Sequence, residues 1–350
     1  MSRLTGYHIM IVSKYFETID NFIKLELVCK KFGGNMEKFH FNPIPLNFKT
    51  LGYFPKIETL HLWNAKNENF GNGFLINTKE NIDCENKPVF KKEFFCIIVW
   101  FDVDFETFDR NKSLNIEFKN ITYTQNDREK FGNNIPSNVK SLGDNCFRCC
   151  SSLSSIAIPS SVTSVGYGCF GECSSLGNVN IPSSVISINI GCFYKCINLS
   201  NVIIPLLVKS IDESCFYECG CLSSITIPSS VTSIGDFCFR GCISLSSITI
   251  SSIITSFGDF CFCECSSLRS VTIPSCVKSL GIQCFYGCSS LGSITIPSSV
   301  TSIDNNYNLV ICLNIIIKKI IEYNTEIEKI KIEIECANKK ASKANLHKIT

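Results

Sequence analysis

Residues 231–242 read VTSIGDFCFRGC, and 23 positions further on residues 254–265 read ITSFGDFCFCEC. The same period runs well beyond these two stretches. Isoleucine recurs at Ile135, Ile158, Ile181, Ile204, Ile227, Ile250, Ile273 and Ile296, and proline follows each of them except Ile250, where Ser251 stands. A Cys-Phe pair keeps step from Cys146–Phe147 to Cys284–Phe285, with a second cysteine four residues after the first and a leucine three further on. Several independent positions agreeing on one period, without insertion, mark a stacked repeat array.

One unit has the character of a single coil. In SSITIP, Ile225 and Ile227 alternate with polar residues, which is strand periodicity with one buried face. Pro228 cannot donate to a ladder and closes the strand. Val231 and Ile234 supply a second short apolar patch, Gly235 and its equivalents are expected to turn the chain, and Phe239 and Leu245 to point inward. A unit this small buries its apolar face only against neighbours. Eight strands spaced ~4.8 Å apart make a rod roughly 35 to 40 Å long. The expected fold is a solenoid of mainly short parallel β-strands joined by turns.

The pattern L-x-S-I-T-I-P-S-S-V-T-S-I-G-x-x-C-F-x-x-C-S-S-L resembles the BspA-like leucine-rich repeat, a family that usually carries alanine where this chain has the cysteine before phenylalanine. The resemblance covers Ile135 to about Ile303. It implies a leucine-rich-repeat solenoid, a binding role of the kind described for cell-surface antigens and adhesins, and no catalytic activity.

The cysteines require an explanation, since the chain has 23 of them in 350 residues. A residue held at one coil position stacks on its own copies, and free cysteine is a small, readily buried hydrophobe. Cys146, Cys169, Cys192, Cys215, Cys238, Cys261 and Cys284 are therefore expected to form a structural thiol ladder. Two alternatives compete with it. The C-x-x-x-C spacing of pairs such as Cys238 and Cys242 is compatible with zinc, but a structural site needs four ligands and the array contains no histidine. Disulfides between like positions about 5 Å apart are within bridging range, though such side chains run parallel. Catalysis by a thiol needs a paired base, and His8, His40, His61 and His347 all lie outside the array. Cys149, Cys221, Cys263 and Cys276 break the pattern and are expected to be exposed.

Composition narrows the remaining classes. A 45% hydrophobic, 18% charged chain can fill a core, and a net charge of +2 provides no field for nucleic acid or an anionic membrane. Between Ile135 and Ile303 there are seven basic and eight acidic residues, so no basic stripe for phosphates exists. The apolar run His8 to Val12 is too short for a signal-peptide core. The run Leu309 to Ile317 includes Asn314 and falls short of the ~20 residues that span a bilayer. These features lead us to expect a cytoplasmic protein, or one peripheral to the plasma membrane, with reduced thiols and no cofactor.

Binding surfaces are sought among the solvent-facing rows of the coils. Between the apolar residues of successive strands lie Ala157, Asn180, Ile203, Thr226, Thr249, Thr272 and Thr295; the four threonines form a hydroxyl stripe, although threonine is also a good strand residue. The row following Phe holds Arg148, Gly171, Tyr194, Tyr217, Arg240, Cys263 and Tyr286. Tyr and Arg are enriched at interface hot spots. Arg148, Tyr194, Tyr217, Arg240 and Tyr286, with Thr226, Thr249, Thr272 and Thr295, are the candidate face for a protein partner or host-surface macromolecule.

The chain divides into an irregular region 1–134, the array 135–303 and a tail 304–350. Ile9 to Phe16 and Phe22 to Phe32 have the spacing of two amphipathic helices, the second capped by Thr18 or Asp20. The ending LELVCKKF resembles the tail of an F-box motif, which implies docking to a ubiquitin-ligase adaptor and a substrate-adaptor role; LTGY stands where the usual Leu-Pro start belongs. Covering the exposed first coil is the simpler role for these helices. FPKIETLHLWN, with Ile57, Leu60, Leu62 and Asn64, resembles one irregular unit of the commoner leucine-rich repeat. Phe94 to Tyr123 is aromatic and strand-like, with Asp102, Asp104, Glu106 and Asp109 expected on a solvated strand face. In the tail, Leu309, Leu313, Ile316, Ile320, Tyr323, Ile327, Ile330 and Ile334 form a heptad seam, with Glu326 and Lys331 placed for an inter-helix pair. A C-terminal helix, either covering the last coil or self-associating as a coiled coil, is expected there.

Overall fold

The computed structural model describes residues 12–13, 15–28, 33–72, 91–303 and 326–331. The chain divides into two compact units, one made of Met1–Cys146 and Pro159–Ser164, the other of Phe147–Ile158 and Val165–Thr350.

In the first unit, part of the helix expected over Ile9 to Phe16 lies outside the described residues, and within it residues 12–13 are helical; helix α1 (Ile19–Val28) follows, with Asp20 in its first turn and Phe22 as its buried residue. Thr18 directly precedes it, so the helix starts three residues earlier than the apolar spacing suggests. Phe22 meets Phe39 and Phe54 edge to face at ring-centroid distances of 5.8 and 5.4 Å. Strands β1 (Thr59–Leu62), β2 (Cys96–Asp104), β3 (Ile116–Tyr123) and β4 (Ser141–Leu142) follow, all parallel and hydrogen-bonded in that order. Leu60 and Leu62 are buried, as the repeat-like reading of this stretch requires. Asn64 is not the buried asparagine of such a unit: it is exposed and its side chain accepts from Lys66 N within a turn. That role falls to Asn42, whose amide donates to Ile44 O and His61 O and accepts from His61 N.

The acidic run after β2 departs from the expected strand. Phe105–Asn111 forms helix α2, because the Asp104 carboxylate accepts from Thr107 N at 2.8 Å and caps it. Glu106 then pairs with Arg110 one turn on and with Lys130, and Asp109 pairs with Lys112. Helix α3 (Gln125–Phe131) carries a capping box between Thr124 and Asp127. The buried Asp127 carboxylate also accepts from Phe105 N and Glu106 N, so one anion satisfies donors at the start of both helices.

In the second unit each 23-residue coil contributes two short strands. The outer row is β5 (Ser155–Ala157), β7 (Asn178–Asn180), β9 (Asn201–Val202), β11 (Ser224–Thr226), β13 (Ser247–Thr249), β15 (Ser270–Thr272) and β17 (Ser293–Thr295). The other row runs through β6 (Ser164–Val165), β8 (Ser187–Ile188), β10 (Ser210–Ile211), β12 (Ser233–Ile234), β14 (Ser256–Phe257), β16 (Ser279–Leu280) and β18 (Ser302–Ile303). From β8 to β18 this second row is one unbroken parallel ladder. Like pairs with like in register, Ser210 with Ser233 and Ile211 with Ile234. The fold is the leucine-rich-repeat solenoid that the period implies.

The turns are made differently from the expectation placed on Gly235. The left-handed residues lie just before the ladder cysteine (Asn145, Gly168, Gly191, Ser214, Phe237, Phe260, Gln283) and two positions after Phe (Cys149, Glu172, Lys195, Glu218, Gly241, Glu264, Gly287). Most are not glycine, and each costs roughly 1–2 kcal/mol of backbone strain. Their N–H groups are thereby aimed along the stack: Lys195 N donates to Tyr217 O at 2.7 Å and Ser214 N to Asp236 O at 2.9 Å, each in the next coil. Gly235, Gly258 and Gly281 serve close approach instead. A Cβ on Gly258 would lie 2.4 Å from Asp236 N, and one on Gly281 2.4 Å from Gly258 O.

In the tail, the seam from Leu309 to Tyr323 and Ile334 lies outside the described residues. Residues 326–331 are helical, with Glu326 paired to Lys329 and Glu328 to Lys331 along the same helix.

Candidate functional site

The interior of the second unit is occupied by columns of identical side chains. Phe147, Phe170, Phe193, Phe216, Phe239, Phe262 and Phe285 stack with centroids 5.3–5.5 Å apart and planes within 1–17°. Beside them Cys169, Cys192, Cys215, Cys238, Cys261 and Cys284 are buried; Cys146, at the same repeat position, is buried in the first unit. All nineteen described cysteines are free thiols, and no group of three or more His, Cys, Asp or Glu among the described residues is arranged to hold a metal ion.

The second cysteine column has a distinct job. Cys173, Cys196, Cys219, Cys242, Cys265 and Cys288 each donate an S–H hydrogen bond, 3.0–3.2 Å long, to the carbonyl of a phenylalanine 26 residues earlier, Phe147 through Phe262. The same carbonyl accepts from the backbone within its own coil, as Phe193 O does from Cys196 N. These thiols join coil to coil. Burial pushes the thiols of Cys192, Cys219, Cys238 and Cys265 well above the ordinary range and those of Cys242 and Cys288 up to about 12. They stay protonated at neutral pH, so they are hydrogen-bond donors and not nucleophiles. Of the off-pattern cysteines, Cys149, Cys221 and Cys276 are exposed. Cys263 is buried, because this small side chain lies in the row between the long Arg240 and Tyr286 of the adjoining coils.

The row following Phe is partly self-assembled. Tyr194 and Tyr217 stack at 4.9 Å, the Arg240 guanidinium lies over Tyr217 at 5.8 Å, and Lys195 sits over Tyr194 at 5.3 Å. Ion pairs cross the coils between Lys195 and Glu218 and between Arg240 and Glu264. Arg148 is held to Glu172 of the next coil at 2.7 Å and is separated from Tyr194 by the coil of Gly171, and Tyr286 is separated from Arg240 by the coil of Cys263. Gly171 leaves a second gap in the row. Tyr194, Tyr217 and Arg240 are thus the members that the fold brings together.

Thr226, Thr249, Thr272 and Thr295 are all exposed on their strands. Thr226 pairs with Thr249, and Thr272 with Thr295, but the two pairs belong to separate two-stranded ladders. Two surface features escaped the residue patterns. One is the coil of Ile203, Leu206 and Leu207, where Ile-Ile-Pro-Leu-Leu replaces the usual Thr-Ile-Pro-Ser-Ser; the substitution itself is the signal that could have found it. The other, in the first unit, gathers both tryptophans around His61, with Trp63 and Trp100 centred 5.7 and 5.9 Å from its ring. Trp100 lies 39 residues from His61 in sequence, so spacing carries no trace of its place in the cluster.

Comparison with known proteins agrees with this architecture. The BspA type leucine-rich repeat region matches in six copies over residues 130–230 and 209–331. No curated protein matches the chain. Among solved structures, a leucine-rich repeat protein from Bacteroides ovatus is 32% identical, with 49% of this chain and 46% of that chain covered and a TM-score of 0.46. The T. pallidum leucine-rich repeat protein is 25% identical over 53% of this chain and 73% of that one, with a TM-score of 0.36. A leucine-rich cell surface protein from Faecalibacterium prausnitzii is 24% identical over 57% and 78%, with a TM-score of 0.31. The chain spans 46% of the length of the Bacteroides ovatus protein, less than half. With the repeat model covering more than half of its residues, the chain belongs to the BspA-type leucine-rich repeat family.

Proposed function

We propose that the protein is a non-enzymatic scaffold that presents the solenoid's outer rows to a protein partner or host-surface macromolecule. The observation that carries this reading is the preassembled Tyr194–Tyr217–Arg240 cluster. It is a surface group of hot-spot residue types, held in place before any partner arrives. Arg148 and Tyr286 extend the row at its two ends, and the four threonines supply a second, uncharged row. The cysteines serve architecture: columns of S–H donors require reduced thiols, which supports a cytoplasmic location or one peripheral to the plasma membrane. No helix among the described residues is long and apolar enough to cross a membrane. The three-part division at residues 134 and 303, and self-association through the tail heptads, belong to the same proposal.

The test uses the full chain. A partner recovered by proximity labelling in the source cells is purified, and its affinity is measured for the wild type and for Tyr217→Ala/Arg240→Ala. Loss of tenfold or more supports the reading. Unchanged affinity removes this row from the interface.

A second reading has its own observation. Leu27 and Val28, at the end of α1 within the F-box-like LELV stretch, are 80% and 77% exposed. Exposed aliphatics there suit docking to a ligase adaptor, with the repeats reading a substrate. Co-purification of the adaptor with the full chain, abolished by Leu27→Asp, is the expected result; no co-purification dismisses the adaptor role.

A further inference from the structure

The array contains its own control, since each coil shows what its neighbours would have had at the same position. At the position that ends the strand as Thr226, Thr249, Thr272 and Thr295 in the later coils, one coil carries Ile203, and the Ser-Ser that follows Pro182 and Pro228 is replaced by Leu206-Leu207. The three aliphatic side chains are 67%, 73% and 50% exposed. At the same place the outer row of strands loses its ladder, as it does again between β13 and β15: β5, β7 and β9 form one sheet and β11 and β13 another, with no strand pairing between β9 and β11. A groove of about 350 Å³ opens there, lined by Asn201, Ile203, Leu206, Ile225, Thr226 and Pro228 among others. None of its lining residues is charged.

We propose that this groove is an anchor pocket for an uncharged peptide segment of a protein partner, which inserts an aliphatic or aromatic side chain between β9 and β11. The inference rests on the scaffold reading and deepens it by naming a partner chemistry. Four observations select the occupant. The lining carries no charge, which disfavours phosphate-bearing or strongly charged ligands, because their charge would be desolvated without a counter-charge. The volume accommodates one or two side chains rather than a whole helix. The lining mixes aliphatic Ile203, Leu206 and Ile225 with the uncharged polar side chains of Asn201, Ser224 and Thr226, the mixture of apolar and hydrogen-bonding groups found at protein interfaces. Finally, the groove continues directly into the exposed threonine row at Thr226, so a segment lying on that row reaches the pocket without leaving the surface.

The coil's neighbours also supply the test. Ile203→Thr, Leu206→Ser and Leu207→Ser each restore what the following coil carries at Thr226, Ser229 and Ser230, so the repeat geometry is retained. A random dodecapeptide display library is selected on the full-length wild type, with counter-selection on the full-length triple variant, and affinities of the enriched peptides are measured by fluorescence polarisation. The expected result is a set of peptides sharing an apolar anchor with no charge beside it. Their affinity should fall at least tenfold on the triple variant and on Leu206→Ser alone, while the thermal midpoints of these variants match wild type. No enrichment, enrichment of charged peptides, or equal binding to both proteins overturns the proposal. If the peptides bind both proteins alike but lose affinity on Tyr217→Ala/Arg240→Ala, the groove is dismissed and the scaffold reading stands. If sedimentation shows a wild-type dimer that the triple variant lacks, the occupant is a second copy of this chain and the peptide assignment is overturned.

Discussion

The two units bury phenylalanine in opposite ways. In the array the rings lie parallel, within 1–17° of one another, whereas the rings of Phe22, Phe39 and Phe54 in the first unit meet at 77–81°. Ring quadrupoles allow both offset-stacked and edge-to-face arrangements. Symmetry decides between them. A coil that repeats by translation places each ring as a copy of the last, so the rings are parallel; a unit without a repeat is free to choose the tilted contact. The array therefore trades local choice for uniformity, and each phenylalanine from Phe170 to Phe262 has two stacked neighbours that share its fate.

The largest test of that contrast is Phe216→Ala. The ring is fully buried between Phe193 and Phe239, at 5.5 and 5.4 Å, and its loss should cost about 3–5 kcal/mol by urea denaturation. Phe54→Ala should cost a similar amount, since it is equally buried. The coupling within the column is read from a double variant. Phe216→Ala with Phe239→Ala should fall short of the sum by about 0.5–1.5 kcal/mol, because the stacked pair is counted twice. Strict additivity would mean that the column is a row of independent residues.

Next comes backbone proximity. Gly258→Ala forces a Cβ to within 2.4 Å of Asp236 N, whereas Gly52→Ala in the first unit meets nothing within 4 Å. The first should cost about 1–3 kcal/mol or more and the second stay within about 0.5 kcal/mol. Equal melting temperatures for the two variants would contradict the tight spacing of the coils.

A smaller difference separates the two cysteine columns. Cys219→Ala removes the S–H bond to Phe193 O, while Cys192→Ala leaves that bond in place and installs the residue that the family usually carries there. Denaturation should show Cys219→Ala to be the costlier change by about 0.5–1 kcal/mol. The reverse order would assign the coil-joining role to the first column.

How much of this was legible follows from what a period can carry. The repeat of Cys146–Phe147 through Cys284–Phe285 dictates stacking, because any residue locked to a period must meet its own copy. The same logic misled at Gly235. A glycine repeated near a bend resembles a turn residue, but its need is set by the preceding coil's backbone, which no local pattern records. The turns were then made by residues such as Ser214, Phe237 and Phe260, whose strain is offset by N–H hydrogen bonds to the next coil. Helix α2 was hidden because FETFDRN is a short capped helix of about two turns that directly follows the alternating run Phe101-Asp102-Val103-Asp104, and the Asp104 and Asp127 carboxylates decide for helix. Of the candidate surface, Tyr194, Tyr217 and Arg240 could be placed in one row from spacing. That Arg240 covers Tyr217, and that Ile203 marks a break in the ladder rather than a mere variant in its row, depends on side-chain geometry between coils.

The smallest effect lies in the first unit and provides the contrasting case of a contact made without any repeat. Trp100 Nε1 donates to His61 Nδ1 at 3.4 Å, which requires an imidazole that is neutral at Nδ1. Burial, and then the charge of Lys119, hold the His61 pKa below its ordinary 6.5, with Glu117 opposing. The direction fixes the sign of the linkage. With the folded pKa depressed, the unfolded chain takes up the proton first. Stability from this group is therefore complete above pH 6.5 and declines as pH falls from 6.5 toward the folded value. Protonation would then set N–H against N–H beside the Lys119 ammonium, so Trp100 should leave the imidazole. Because the chain has only two tryptophans and both lie against His61, their emission reports this single event. The expected titration has a midpoint below 6.5 and disappears in His61→Gln. A midpoint at or above 6.5 would show that the imidazole is not desolvated and that the aromatic cluster is looser than its ring distances imply. A titration that survives in His61→Gln would place the proton on another group.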